Sequence, residues 1–169
     1  MTVTYRDAGP EDAATIDRIF DTVFCGTFAH LYRPEDLKAF LSGFSISGWQ
    51  RQLRDPAFAV RLAEVDGEPA GYAKLGPLKL DVQANGPAML IDQLYVLKEH
   101  HGSGIARGLM DWVIDEARRR GARALYLTVF IDNHRARKFY DRYGFEDVGR
   151  YDFMVGEQAD EDIIMRKAL

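Results

Sequence analysis

One stretch constrains this chain more than any other. Leu90-Ile91-Asp92-Gln93-Leu94-Tyr95-Val96 runs through Lys98-Glu99-His100-His101-Gly102-Ser103-Gly104-Ile105-Ala106 into Arg107-Gly108-Leu109-Met110. An apolar run gives way to a glycine-spaced turn, and the turn opens a helix. Strand, turn and helix start together make an anion site. The first N–H groups of a helix have no partner within it, and the helix dipole favours negative charge there. Glycine at 102 and 104 and alanine at 106 let a phosphate approach the backbone. A tight strand-to-helix connection without a ligand has the same local pattern. The dinucleotide fingerprint is not met, since Ala106 stands where a third glycine is needed. No lysine followed by Ser or Thr completes a triphosphate loop.

The rest of the chain narrows the class. A length of 169 residues fits one domain spanning 1–169 with a sizeable core. No run of about 18 apolar residues reads as a membrane span. The opening Met1-Thr2-Val3-Thr4-Tyr5-Arg6-Asp7 lacks the pattern of a secretory signal. Cys25 is the single cysteine, so no intramolecular disulfide forms, and a cytoplasmic location is expected. A net charge of −4 argues against non-specific nucleic-acid binding and permits a cationic substrate. The basic clusters at 118–120 and 135–138 lack an aromatic stacking stripe, so no nucleic-acid partner is expected.

Periodicity orders the elements. Val3 to Ala8 reads as a first strand, and Gly9-Pro10-Glu11-Asp12 as a helix start. Ala14, Ile16, Ile19, Phe20, Val23, Phe24 and Phe28 form a helical stripe. Pro34 and Glu35 begin a short helix carrying Leu37, Phe40 and Leu41; Trp49 to Arg54 reads as a third helical piece. Phe58 to Val65, Asp66-Gly67 and Pro69 to Leu75 spell a hairpin. Residues 88–97 form a central strand after a Gly/Pro-rich loop. Gly104 to Gly121 is the clearest helix, with Ile105, Leu109, Trp112, Val113 and Ala117 on one face. Arg118, Arg119 and Arg120 in its last turn suit the dipole. Ala124 to Ile131 is a strand, and Asp132-Asn133 caps a helix through Tyr143. Phe145 to Tyr151 and Ile163 to Lys167 read as a closing antiparallel pair separated by a polar loop. The expected class is α/β (α+β): a mixed sheet of six to seven strands flanked by four to five helices.

Joined to Asn133-His134-Arg135-Ala136-Arg137-Lys138-Phe139-Tyr140-Asp141-Arg142-Tyr143-Gly144-Phe145, the glycine turn resembles the acetyl-CoA motif of the GCN5-related N-acetyltransferase (GNAT) superfamily. That motif is Arg/Gln-x-x-Gly-x-Gly/Ala after a central strand, followed by a strand and a helix opening with Asn. His101 stands where the family has Arg or Gln. Two further segments are similar to PaiA-type spermidine/spermine N-acetyltransferases. They are Phe20-Asp21-Thr22-Val23-Phe24-Cys25-Gly26-Thr27-Phe28 with Pro34 to Leu41, and the tail from Tyr151 to Met165.

The resemblance implies a GNAT fold, acetyl-CoA as cosubstrate, and direct transfer to a primary amine, a polyamine such as spermidine or spermine. Transfer to a peptide N-terminus or other small amine is the alternative, and a non-catalytic acyl-CoA-binding module is another. Adjacent His100 and His101 lack a spaced third ligand, so no metal is expected. Exposed strand edges leave a homodimer open.

Acetyl transfer needs a neutral amine, a donor near the thioester carbonyl and a proton for the leaving thiolate. By resemblance Tyr140 supplies that proton; its spacing equally suits a core aromatic. Asp92 is the candidate base, directly or through water, counted on the same strand face as Leu94 and Val96; a carboxylate satisfied by neighbouring backbone or by an ion pair is the alternative. Leu94, Tyr95 and Val96 would hold the pantetheine arm as an added strand, with the Leu94 N–H polarising the carbonyl. His101, Gly102, Ser103, Gly104, Ile105, Ala106 and Arg107 would hold phosphate, and Asn133 would touch the cofactor. Cys25, on an apolar helix face without a matched His, reads as a core thiol. Glu35, Asp36, Asp152, Glu157 and Asp160 are the candidate acids of an amine groove.

Overall fold

The computed structural model describes residues 1–169. The strands are β1 (Val3–Asp7), β2 (Ala59–Val65), β3 (Glu68–Pro77), β4 (Ala88–Val96), β5 (Ala124–Phe130), β6 (Glu146–Val155) and β7 (Gln158–Ala168). The helices are α1 (Ala13–Phe28), α2 (Pro34–Leu41), α3 (Ile46–Arg54), α4 (Ile105–Arg119) and α5 (His134–Arg142). All seven strands form one sheet in the order β1-β2-β3-β4-β5-β7-β6. Only β4 and β5 run parallel, joined by α4; every other pairing is antiparallel. This is the mixed sheet with five helices that the periodicity predicts. No helix is long and apolar enough to cross a membrane.

Local chemistry explains most boundaries. Asp66 and Gly67 both adopt positive φ, which the tight β2–β3 turn needs to match the strand twist. Asp12 replaces a helix cap by accepting the Gly9 N–H at 2.9 Å and forming a two-bond pair with Arg6. That guanidinium holds the Asp12 carboxyl below the usual range. The third helix begins at Ile46, three residues before the expected Trp49, because Ser45 Oγ accepts the Gly48 N–H at 3.1 Å.

The tail departs from expectation. The polar segment after Tyr151 is not a loop: β6 continues to Val155, turns at Gly156, and β7 starts at Gln158. Phe153 and Val155 bury one face of this ribbon, so pairing and burial outweigh the polar composition.

Two cores lie on opposite sheet faces. On one, α4 seats Ile105, Leu109, Met110, Val113 and Ala117 against Ala73, Leu75, Ile91, Leu127 and Val129. Gly108 lies against Tyr5, leaving no room for a Cβ, so α4 sits close on β1. On the other face, Ile16, Ile19, Phe20 and Phe24 of α1 pack with Trp49, Leu62 and Tyr72. Tyr72 is fully buried, and its hydroxyl donates to Gln93 Oε1 at 2.7 Å.

Because α4 carries the glycine turn, its packing fixes the site. Leu109 is 0% exposed. Leu109→Ala should lower unfolding free energy by about 2–5 kcal/mol, through lost transfer energy and a residual cavity. Urea denaturation checks this, with the midpoint expected to fall at unchanged slope.

Candidate active site

The site begins where the parallel pair stops. β4 and β5 are in register only from Ala88↔Ala124 to Leu90↔Tyr126. Beyond that point they part, so Ile91–Val96 lacks a neighbour on one edge. A cavity of about 480 Å³ fills the opening and is lined by both strands, α1, α4, α5 and β7. It passes between the two sheet faces. Leu94, Val129 and Tyr140 border it from the α4 side, while Tyr95, Phe28, Tyr32 and Phe153 border it from the α1 side.

The glycine turn forms one wall. Gly104, at the N-cap of α4, has φ of +87°, a left-handed conformation that only glycine adopts without strain. No backbone hydrogen bond is donated by Gly102, Gly104, Ile105, Ala106 or Arg107. All five residues line the cavity, together with Arg135 and Arg142. The chemistry suits a polyphosphate, with dipole, amides and guanidiniums agreeing in sign. Ser103 differs from its neighbours in the turn: its hydroxyl donates to the His100 carbonyl and the residue does not line the cavity.

His101 is a bridge. Its Nε2–H donates to the Val96 carbonyl at 2.9 Å, leaving Nδ1 to accept from Arg135. The ring thus ties the end of β4 to the start of α5, a neutral-donor arrangement that Arg cannot reproduce. No group of three or more His, Cys, Asp or Glu is placed to hold a metal ion.

Helix α5 delivers Tyr140. Asn133 Oδ1 accepts the Ala136 N–H at 3.3 Å and caps the helix, while Asn133 itself lines the cavity. Two turns on, the Tyr140 ring packs edge-to-face on Phe139 and Phe145. Burial alone pushes its phenol up to about 12, so it stays protonated throughout the neutral range. Cys25 lies outside the cavity against Asp21, and burial pushes its thiol up.

Asp92 lies on the other face from the one its spacing predicts. β3–β4 pairing jumps from Gln93↔Lys74 to Ile91↔Leu75, so Asp92 is an extra, bulged residue. The bulge resets the alternation: Ile91, Leu94 and Val96 face α4, whereas Asp92, Gln93 and Tyr95 face the α1–α3 side. There Asp92 meets Lys74 at 3.3 Å and Lys79 at 3.1 Å. Lys74 is buried over the Trp49 and Phe58 rings and donates to Gln52 at 2.6 Å. Burial lowers the Lys74 ammonium, and Asp92 opposes that shift. Asp92 therefore lines the cavity as a carboxylate already neutralised by two cations.

The five candidate groove acids do not assemble. Glu35 and Asp152 are exposed outside the cavity. Glu157 is exposed near Arg33, and Asp36 holds Arg33 and the Glu157 N–H. Only Asp160 lines the cavity, joined by Asp162, Tyr32 and Thr128, which the sequence reading passes over. The available signal was alternation: Gln158, Asp160, Asp162 and Ile164 share a strand face, and two acids on a face that also buries Ile164 mark polar demand.

The acetyltransferase (GNAT) family profile matches residues 25–145, most of the chain. An uncharacterised N-acetyltransferase of Mycobacterium bovis is 31% identical over 137 residues, covering 80% of this chain and 84% of its own. Among solved structures, the PaiA N-acetyltransferase of Thermoplasma acidophilum in complex with coenzyme A superposes with a TM-score of 0.79 at 20% identity. That match covers all of both chains. NAA60 of Arabidopsis thaliana, in complex with a bisubstrate analogue, superposes with a TM-score of 0.77 at 18% identity and 99% coverage of each. At those identities the two structures establish the shared fold. With the open β4 edge, the amide-rich α4 turn and the family match agreeing, this chain belongs to the GNAT family of N-acetyltransferases.

Proposed function

We propose that this enzyme transfers an acetyl group from acetyl-CoA directly to the primary amine of a small cationic acceptor, with a polyamine such as spermidine or spermine as the preferred class. One observation carries the reading. The same cavity is cationic where α4 and α5 begin and carries uncompensated acid on β7. An anionic donor and a cationic acceptor can therefore enter from opposite sheet faces and meet at the β4–β5 opening.

The residues divide the work. The free amides at Gly102 and Gly104 to Arg107, with the Arg107 and Arg135 side chains, suit the donor's phosphates. The open edge of β4 at Leu94 to Val96 suits the amide-bearing arm, which pairs as a strand would. The Leu94 N–H then lies along the path of the thioester carbonyl, whose oxygen gains charge as the amine attacks. Tyr140 donates its phenolic proton to the departing sulfur. Burial disfavours the tyrosinate, so the phenol recovers a proton from the acylated nitrogen in the same event. Asp92 acts electrostatically, holding Lys74 and Lys79 on the acceptor side.

Thiol release from acetyl-CoA should be fastest with spermidine or spermine in a panel containing putrescine, an aminoglycoside and a short peptide. Fastest turnover on the peptide would replace the polyamine assignment with an N-terminal one and leave the donor site as described. Tyr140→Phe should lower kcat by about 10²-fold or more, with the acetyl-CoA dissociation constant changed less than about twofold. Steady-state kinetics with calorimetric titration of acetyl-CoA checks both. Asp92→Asn should destabilise the fold by about 3 kcal/mol at pH 7, because it strands the buried Lys74 ammonium. The deficit should narrow toward about pH 10, since a lysine whose folded pKa falls below its unfolded value loses its penalty as pH rises. Urea titrations at the two pH values measure it.

A further inference from the structure

The carboxyls of β7 have no part in the steps above. Asp160 and Asp162 are two residues apart, so they point to one sheet face, and both line the cavity with 8% and 6% exposure. Asp160 is fully engaged: Tyr32 Oη donates to one oxygen, and Gln158 Nε2 donates to the other at 3.0 Å. Asp162 has no ion pair.

Its surroundings come from every side of the opening. Thr128 of β5 offers a hydroxyl, Asp160 a second charge, and the Tyr32 and Tyr95 phenols lie close enough to feel the carboxylate. Tyr151 is its cross-strand partner on β6. None of these is a cation. Burial first, and the Asp160 charge after it, push Asp162 up to about 7. Tyr95 also feels Tyr140, so the phenol of α5 and the carboxyl of β7 flank one aromatic at the opening.

A buried carboxyl without a protein counter-charge, aimed into a substrate cavity, is completed by a cation from outside. We propose that Asp162 is a catalytic residue that binds the acceptor ammonium and takes its proton, with Asp160 as the fixed neighbouring charge that seats the cation. The inference rests on amine acetylation as the reaction. One N–H bond of the ammonium breaks, its proton goes to an Asp162 oxygen, and the nitrogen lone pair forms the bond to the thioester carbon. The C–S bond then breaks as sulfur receives the Tyr140 proton, and the acylated nitrogen returns its extra proton to Tyr140. Asp162 releases its proton to solvent, so each turnover yields amide, free thiol and one proton.

The test uses whichever panel amine turns over fastest, so failure of the polyamine assignment leaves this one intact. In wild type, kcat/KM should rise with pH through a group near 7, and carbon NMR of the aspartate carboxyls should assign that titration to Asp162. Asp162→Asn should lose about 100-fold or more in kcat/KM and lose that pH step, with acetyl-CoA affinity unchanged. Asp160→Asn should raise KM more than it lowers kcat. Stability supplies a second readout. A carboxyl raised above its unfolded value is satisfied at low pH and loses stability as pH rises from about 4 through about 7. Asp162→Asn should therefore be at least as heat-stable as wild type at pH 8. Wild-type kcat/KM and pH profile in Asp162→Asn would overturn the proposal. So would an Asp162 titration in the ordinary range, or unfolding of the variant at pH 8.

Discussion

The molecule depends on a parallel strand pair that stays paired for only three positions. Up to Leu90 and Tyr126, β4 and β5 share a ladder and close the sheet as in any α/β unit. Past them the strands diverge, and the sheet acquires an internal edge in its middle. An unpaired edge is ordinarily a liability, because buried N–H and C=O groups demand partners. Here the surrounding elements keep the edge accessible and protected: α1 covers one face of the opening, α4 and α5 cover the other, and β7 restores pairing on the far side of β5. Each face keeps its own buried core beside the opening, with Leu109 and Met110 on one and Ile16 and Tyr72 on the other, and α4 holds Ile91 of β4 and Leu127 and Val129 of β5 in a single core.

Electrostatics gives the opening its direction. The α4 side gathers unpaired amides and guanidiniums, and the β7 side gathers carboxyls. The charges are not equivalent, and partners decide which of them do chemistry. Asp12 has Arg6, Asp36 has Arg33, and Glu116, held down to about 2, has Arg119 and Arg120. Each is anchored to a counter-charge supplied by the chain. Asp92 has two lysines, and with both near it the carboxylate gains little from a third cation. Asp162 has hydroxyls and another acid. A low-dielectric site makes that difference large, since an unpaired charge loses far more there than at a surface.

The strength of the sequence reading tracked how local each cause was. Turn glycines, helix stripes and the hairpin dipeptide act within a few residues, and the elements they imply stand where expected, from the Asp66-Gly67 turn to α4. Two failures have non-local causes. The run from Asp152 to Asp162 looks like a loop by composition, yet apart from the turn at Gly156 and Glu157 it is paired strand, because its two arms pair with each other and Phe153 and Val155 find the α1 core. With 152–162 read as a loop, the alternation that buries Asp160 and Asp162 on one face has no strand to act on, and it is the paired ribbon that separates them from the exposed Asp152 and Glu157. The glycine turn was legible because an amide cradle is a property of contiguous chain, whereas Tyr140 stood out only through the family resemblance, its spacing alone suiting a core aromatic equally well.

The third failure, at Asp92, carries more than a corrected face. A strand with strict alternation would put Asp92 beside Leu94 and Val96, on the α4 side. One inserted residue turns it to the opposite face, toward Lys74 and Gln52, and leaves Leu94 and Val96 on the α4 side. Bulges bend a strand and sharpen its twist, and this one falls just past the last β4–β5 pair. The same extra residue sits at two features at once: β4 has just parted from β5 there, and the Asp92 charge lies on the face opposite Leu94 and Val96, beside Lys74 and Lys79. Chain geometry and charge placement are then one event, located at a position where alternation alone predicts neither.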